Sequence, residues 1–163
     1  LKEYYELIFY RTTRKKEIDI KNKKEITSLR NRMTFEDYRI IMKKLKKLPN
    51  KRYLFEDKNT VYLDFDQSSF PLYIRHRLPG DKFFPLGMDH PKKIKDFFID
   101  EKIPKFDRDK ILIFCDEEKI LWIAGLRIDN RVALSEKTKN ILMIKIEKMS
   151  VQKARHAERI DTK

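Results

Sequence analysis

Apolar residues in this chain come in short runs bounded by charge, and that spacing restricts what it can fold into. The segments ILIFC (111–115), KILWIAGLRI (119–128) and ILMIKIE (141–147) have strand length and β-branched character. The middle one is apolar on both faces and is expected to be central in its sheet. The last alternates and is expected to be half exposed. EYYELIFY (3–10), PLYIRHR (71–77) and a hairpin of KRYLFED (51–57) with TVYLDFD (60–66), turning at Lys58-Asn59, add further strands. No run nears the roughly 18 apolar residues of a membrane-spanning helix.

Helical signals are fewer. Thr34 is placed to cap a helix in which Phe35, Tyr38, Met42, Leu45 and Leu48 recur at helical spacing until Pro49-Asn50. Its outer face would carry Arg39, Lys43, Lys44, Lys46 and Lys47, a row that reads first as a solvated helix face. A second, short helix is expected within 91–103, with Pro91 as its first residue and Ile94, Phe97 and Phe98 as its apolar stripe. Residues 11–32 read as a long charged loop, and 150–163 as a frayed tail or exposed helix. Strands outnumber helices and lack regular βαβ alternation, so the chain is read as α+β with packed sheets.

The surface is strongly basic. Thirty-nine Lys and Arg stand against 26 Asp and Glu in 163 residues, a formal charge of +13. Folding needs no such excess, and self-repulsion opposes compaction, so an anionic partner is the leading explanation and nucleic acid the commonest one. The plain alternative is a lysine-rich protein that is merely well solvated. Cys115 is the sole cysteine, which excludes an intramolecular disulfide or a CxxC knuckle and suits a buried apolar role. No leader pattern opens the chain, and a cytoplasmic location is expected.

The cations and turn-formers concentrate in RHRLPGDKFFPLGM (75–88). Alternation places Leu72, Ile74 and His76 on one face of the preceding strand and Tyr73, Arg75 and Arg77 on the other, which is expected to be exposed. Pro79-Gly80 matches the centre of a type II turn, Asp81 is placed to accept backbone N–H bonds, and Gly87 permits a second reversal. Phe83, Phe84, Leu86 and Met88 are expected to pin this loop to the core, making it a rigid cationic ledge. Lys92, Lys93 and Lys95 fall at the start of the short helix, an unfavourable place that suggests phosphate contact. Asp129 lies between Arg127 and Arg131, either orienting Arg127 or forming an ordinary surface pair.

Taken together, RHRLPGDKFFPLGM, KKIKDFFIDEKIPKFDRD (92–109) and WIAGLRID (122–129) resemble the C-terminal domain of the tRNA(Ile)-lysidine synthetase family, with close matching over roughly 72–145. The resemblance implies a β-sandwich of unusual topology with a few short helices, akin to a module of the phenylalanyl-tRNA synthetase β-subunit. It implies a lead-in segment at 1–70 packing on the same domain, the family domain at 71–148, and a flexible tail at 149–163. In that family a separate N-terminal domain with a Ser-Gly-Gly-x-Asp-Ser loop uses ATP, with Mg, and free lysine to convert an anticodon cytidine to lysidine. The only glycines here are Gly80, Gly87 and Gly125, which form no such loop, so this region is expected to carry no catalytic residue, no metal and no cofactor of its own.

Its implied partners are an isoleucine tRNA, held at the acceptor stem, and the N-terminal catalytic domain of the same parent chain. Carried over at matching positions, the implied RNA contacts are Arg75, Arg77, Lys82, Lys92, Lys93, Lys95, Arg108 and Arg127. The pattern departs from the family at Asp89-His90-Pro91, at Asp116-Glu117-Glu118, which lacks the usual glycine, and at Lys110. Competing readings are a stand-alone nucleic-acid-binding module, a protein–protein or dimerisation module (a homodimer among the options) in which Phe35, Tyr38 and the basic helix pack on a partner, and a small hydrolase using His76 or His90 with Asp81 or Asp89.

Overall fold

The computed structural model describes residues 23–29, 32–50 and 57–150. The expected strand 3–10, nearly all of 51–57 and the tail beyond residue 150 lie outside the described residues. Along the described chain run β1 (Lys24–Ile26), β2 (Met33–Phe35), β3 (Tyr38–Leu45), β4 (Thr60–Asp64), β5 (Leu72–Arg75), β6 (Lys82–Phe83), β7 (Lys92–Lys93), α1 (Ile94–Asp100), β8 (Ile113–Cys115), β9 (Ile120–Ile123), β10 (Arg127–Ile128) and β11 (Ile141–Lys148). One sheet has the order β1-β5-β8-β9-β10, a second the order β2-β3-β11-β4, and β6 pairs with β7 in a small ribbon. Every pairing between these strands is antiparallel.

The two larger sheets bury their facing side chains against each other. Ile26, Leu72, Ile74, Phe114, Leu121 and Trp122 from the first sheet meet Ile40, Met42, Leu63, Leu142, Ile144 and Ile146 from the second. The first sheet's other face is also covered. Tyr73, Ile113, Cys115, Ile120 and Ile123 pack against Phe83, Ile94, Phe97 and Phe98, which belong to the ribbon and α1. The result is three layers, with the five-stranded sheet in the middle. Cys115 is buried there, as its apolar surroundings implied.

Several expectations change. Residues 11–32 are not loop throughout, because Lys24–Ile26 pairs with Leu72–Ile74 and buries Ile26. The helix expected from Thr34 to Leu48 is a hairpin, β2 and β3, turning at Glu36 with φ 50°. Its helical spacing coexists with an alternation in which Ile40 and Met42 point inward, opposite Ile146 and Ile144 of β11. The eight cross-strand pairs between β3 and β11 override the local helical preference, as β context commonly does. The turn at Lys58-Asn59 is present, with the Thr60 amide donating to the Asp57 carbonyl at 3.1 Å, but the described partner of β4 is β11. The run 119–128 divides at Gly125, φ 75°, into β9, which is internal and fully buried, and the edge strand β10. β11 alternates as expected but lies inside its sheet.

Two exposed turn carboxylates tie acid stability to this architecture. The Thr60 hydroxyl holds Asp57 below the ordinary carboxylate range, and the Asn140 side-chain amide does the same for Asp66. A depressed folded-state value gives stabilisation that is complete above the ordinary pKa and lost as pH falls through the folded one. The melting midpoint is therefore expected to be flat between about pH 6 and 8 and to fall below about pH 4, read by circular dichroism. A midpoint unchanged down to about pH 2 would contradict this.

Candidate nucleic-acid interface

The stretch 75–88 is organised around a buried ion pair. Arg75 donates to both oxygens of Asp81, at 2.7 and 3.1 Å, and to the His76 carbonyl at 2.9 Å. Asp81 also accepts from the Leu78 amide at 2.6 Å, so the carboxylate closes the turn from inside. Gly80 has φ 83°, which a side chain would resist, and the Asp81 amide donates to the Leu78 carbonyl across the Pro79-Gly80 turn. The Arg75 side chain is only 11% exposed. The face of β5 carrying Tyr73 and Arg75 is thus internal, not exposed as expected, because α1 and the ribbon cover it. Arg75 positions the turn from within.

The ribbon and α1 are seated on phenylalanines. Phe83 and Phe97 meet edge to face at 5.0 Å between centroids, and Phe83, Phe97 and Phe98 are all buried. Leu86, in contrast, is 42% exposed, so the second reversal is not pinned by that residue. Asp129, fully buried, holds it instead. Its carboxylate accepts from the Phe84 and Arg131 amides, each at 2.9 Å, and from the Arg131 guanidinium at 2.9 Å through both Nε and Nη2. Arg131 then lies over the Phe84 ring, 4.6 Å from its centroid. Neither reading of Asp129 anticipated this. It orients Arg131 and not Arg127, and the pair is anchored in the interior. The available signal was an Asp two residues before an Arg at the start of a short turn, where a carboxylate serves as a cap.

The helix start also differs. Pro91 precedes β7 and is not helical, Lys92 and Lys93 lie in the ribbon, and α1 begins at Ile94, whose amide donates to the Asp81 carbonyl at 3.0 Å. Lys82 and Lys93 therefore stand directly opposite each other across the ribbon, both exposed. Like charges so placed repel, their Cβ atoms being about 5 Å apart. Beside them, Arg77, Lys93 and Lys95 line a cleft of about 430 Å³ with Leu78, Pro79, Gly80 and Asp109. Arg77 donates to Asp109 at 2.7 Å and lies over the Phe98 ring at 5.9 Å, and its hydrogen bond holds Asp109 below the ordinary carboxylate range.

The eight cations named from the sequence therefore divide. Arg77, Lys82, Lys93 and Lys95 gather around the cleft and ribbon. Lys92 is paired with Asp100, and Arg127 with Glu101 at 3.5 Å, both at the far end of α1. Arg108 donates from Nε to the Ile103 carbonyl at 2.9 Å, folding the 103–110 loop. A second cleft, about 630 Å³, shares Leu78, Gly80 and Asp81 as a wall, but its lining adds Asp116, Glu117 and Glu118 to Lys23, Lys82 and Lys119 and suits a polyanion less. The turn without glycine in that lining is closed by Asp116, which accepts from the Glu118 and Lys119 amides at 2.9 and 2.8 Å.

The histidines do not assemble a catalytic pair with the named aspartates in a pocket. His76 contacts Glu36 at 2.7 Å and the Ile111 carbonyl at 3.3 Å, while Asp81 is taken by Arg75. His90 and Asp89 contact each other at 3.2 Å on an exposed turn. Among the described residues no group of three or more His, Cys, Asp or Glu could hold a metal ion.

Comparison with known proteins bears on the whole arrangement. The family described as the TilS substrate C-terminal domain matches residues 72–146. A tRNA(Ile)-lysidine synthase from Clostridium tetani is 38% identical over 127 residues, which cover 78% of this chain and 27% of that protein. One from Clostridium acetobutylicum is 44% identical over 92 residues, covering 56% and 20% respectively. The chain thus spans about a quarter or less of the length of these relatives. A crystal structure of a TilS C-terminal domain superposes with TM-score 0.61 at 26% identity, covering 78% of this chain and 98% of that one. An N-terminal fragment of the phenylalanyl-tRNA synthetase β-subunit from Pyrococcus horikoshii aligns at TM-score 0.46 and 18% identity over 61% of this chain and 33% of that one. The ordered motifs, the sandwich they build, the family match and the superposed TilS C-terminal domain lead to one assignment: residues 72–146 belong to the TilS C-terminal domain family.

Proposed function

We propose that this chain is the tRNA-holding C-terminal region of a tRNA(Ile)-lysidine synthetase, a ligase whose N-terminal domain carries out the ATP- and lysine-dependent chemistry. In this reading the region grips the acceptor stem of an isoleucine tRNA and presents its anticodon to that distant domain. It makes no bond itself and needs no cofactor of its own, ATP with Mg and lysine being used by the parent enzyme in the cytoplasm. The observation that carries the proposal is the convergence of Arg77, Lys82, Lys93 and Lys95 on one cleft and ribbon, with Lys82 and Lys93 in a repulsive cross-strand pair. That local cost is relieved when a phosphate backbone lies between the two ammonium groups. Lys92, Arg108 and Arg127 would add weaker contacts at the margins, and Arg75 would act indirectly by shaping the turn.

The test is binding of an acceptor-stem duplex across a salt series. Each neutralised phosphate contributes about −0.7 to −0.9 to the log–log slope, so four to six contacts predict roughly −3 to −5. Replacing Arg77, Lys93 and Lys95 together by alanine is expected to flatten the slope by about 2 to 3 while the far-ultraviolet spectrum is unchanged. A variant that binds with the original slope would remove this cleft from the interface.

A further inference from the structure

Phe106 is 87% exposed, against 48% for Ile99, the next of the large apolar side chains that stand out from the described surface. It sits in KFDRDK (105–110), between Lys105 and Arg108, with Lys110 beyond. The loop beneath it is well braced. The Ile103 amide donates to Phe98 at 2.9 Å, Asp107 to Pro104 at 2.9 Å, and Lys110 to Asp107 at 3.1 Å. Arg108 Nε closes back on Ile103 at 2.9 Å. Asp109 is tied to Arg77 and lines the cationic cleft, so Phe106 lies three residues, at most about 10 Å of chain, from that wall. A ring held out into water on a braced loop, where Lys105, Arg108 and Lys110 alternate with Asp107 and Asp109, and beside the cleft lined by Arg77, Lys93 and Lys95, has the surroundings of a stacking platform.

We infer that Phe106 stacks on an unpaired nucleobase of the RNA whose backbone occupies the Arg77–Lys95 cleft. This rests on the RNA-holding role proposed above and adds a contact that reads a base face. An aromatic ring suits the role because every base offers a π-face, and double-stranded RNA exposes few faces except at ends and overhangs. The flanking Lys105 and Lys110 favour a nucleic acid over an apolar protein patch, since protein interfaces are depleted in lysine.

The experiment compares a hairpin RNA bearing a single-stranded 3′ overhang, with 2-aminopurine in the overhang, against a blunt hairpin of the same stem. Phe106→Ala is expected to weaken binding of the overhang RNA about 10-fold or more with the salt slope unchanged, because no phosphate contact is lost. Phe106→Trp is expected to keep the affinity, and 2-aminopurine quenching to depend on an aromatic ring at this position. An equal loss on the blunt hairpin would assign the stacked face to the terminal base pair and overturn the unpaired-base assignment. Unchanged affinity of Phe106→Ala, with the unsubstituted chain still binding in a salt-dependent way, overturns the stacking role alone. Failure of the unsubstituted chain to bind either RNA overturns the RNA-holding role first. A loss of self-association on light scattering, with RNA binding intact, would assign Phe106 to a protein contact instead and overturn the inference.

Discussion

Arg75→Ala is expected to cost about 3–5 kcal/mol of folding stability, which makes it a folding substitution and not a binding one. The side chains of Arg75 and Asp81 are 11% and 6% exposed, so removing the guanidinium leaves a carboxylate in the interior without its ion partner. Stranding one buried charge is costlier than never burying the pair. Against a typical total of 5–15 kcal/mol the loss is large, and the melting midpoint should drop by on the order of 10 °C. Replacing both partners with apolar residues of similar volume, as in Arg75→Met with Asp81→Leu, should be less harmful than either single change. The Leu78 amide would then lose its acceptor, which limits the recovery to part of the loss. Thermal melts of Arg75→Ala, of Arg75→Met and Asp81→Leu singly, and of the two combined decide it. A single variant as stable as the unsubstituted protein would show that the pair is not internal in solution, and would return Arg75 to the list of surface cations.

Asp129→Ala is expected to be comparably severe, about 3–5 kcal/mol, with a different structural signature. Four donors converge on this fully buried carboxylate: the Phe84 and Arg131 amides, and Nε and Nη2 of Arg131. Without it, two backbone amides and a guanidinium lose their acceptor together, and the clamp between the 84–87 loop and the chain after β10 is weakened. Arg131→Ala should also destabilise, because the fully buried Asp129 then loses its ion partner, but less than Asp129→Ala, because Asp129 keeps both amide donors and the 41% exposed Arg131 side lets water reach it. Hydrogen exchange gives the sharper readout. In Asp129→Ala the Leu86 and Gly87 amides, which donate to the Ile128 carbonyl and the Asn130 side chain, should lose protection before the β3–β11 ladder does. Uniform protection across both regions would contradict the clamp.

These two sites show where local reading succeeds. Gly80 and Gly87 both take positive φ, as a type II turn and a second reversal require, because few side chains tolerate that backbone. Ile94, Phe97 and Phe98 are buried on one face of α1, since their spacing leaves no other common face. The strand at 141–147 shows its alternation directly. Each depends on a few neighbouring residues. The same local reading fails at Thr34–Leu48, where helical spacing and strand alternation are both present and only the distant partner β11 chooses between them. It fails at Tyr73 and Arg75 because alternation separates two faces of a strand but does not say that a helix covers the second.

The candidate interface divides along the same line. Its residue types were legible, as cations next to turn-formers and aromatics between cations, and so was the family to which the motifs belong. Which cations share a surface was not, because position and pairing are properties of space: Lys92 reaches Asp100 and Arg127 reaches Glu101 at the far end of α1, Arg75 reaches Asp81 in the interior, and Arg77 reaches Asp109 at the wall of the cleft. The sequence by itself determined the turns, the helix stripe, the excess of charge and the kinship. Only the tertiary structure decided that the five-stranded sheet is covered on both faces, that Arg75 and Asp129 are internal struts, and that Arg77, Lys82, Lys93 and Lys95 are left together at the surface. The physical reason is that backbone conformation and periodicity act over a few residues, whereas burial and charge pairing depend on which distant segments are brought into contact.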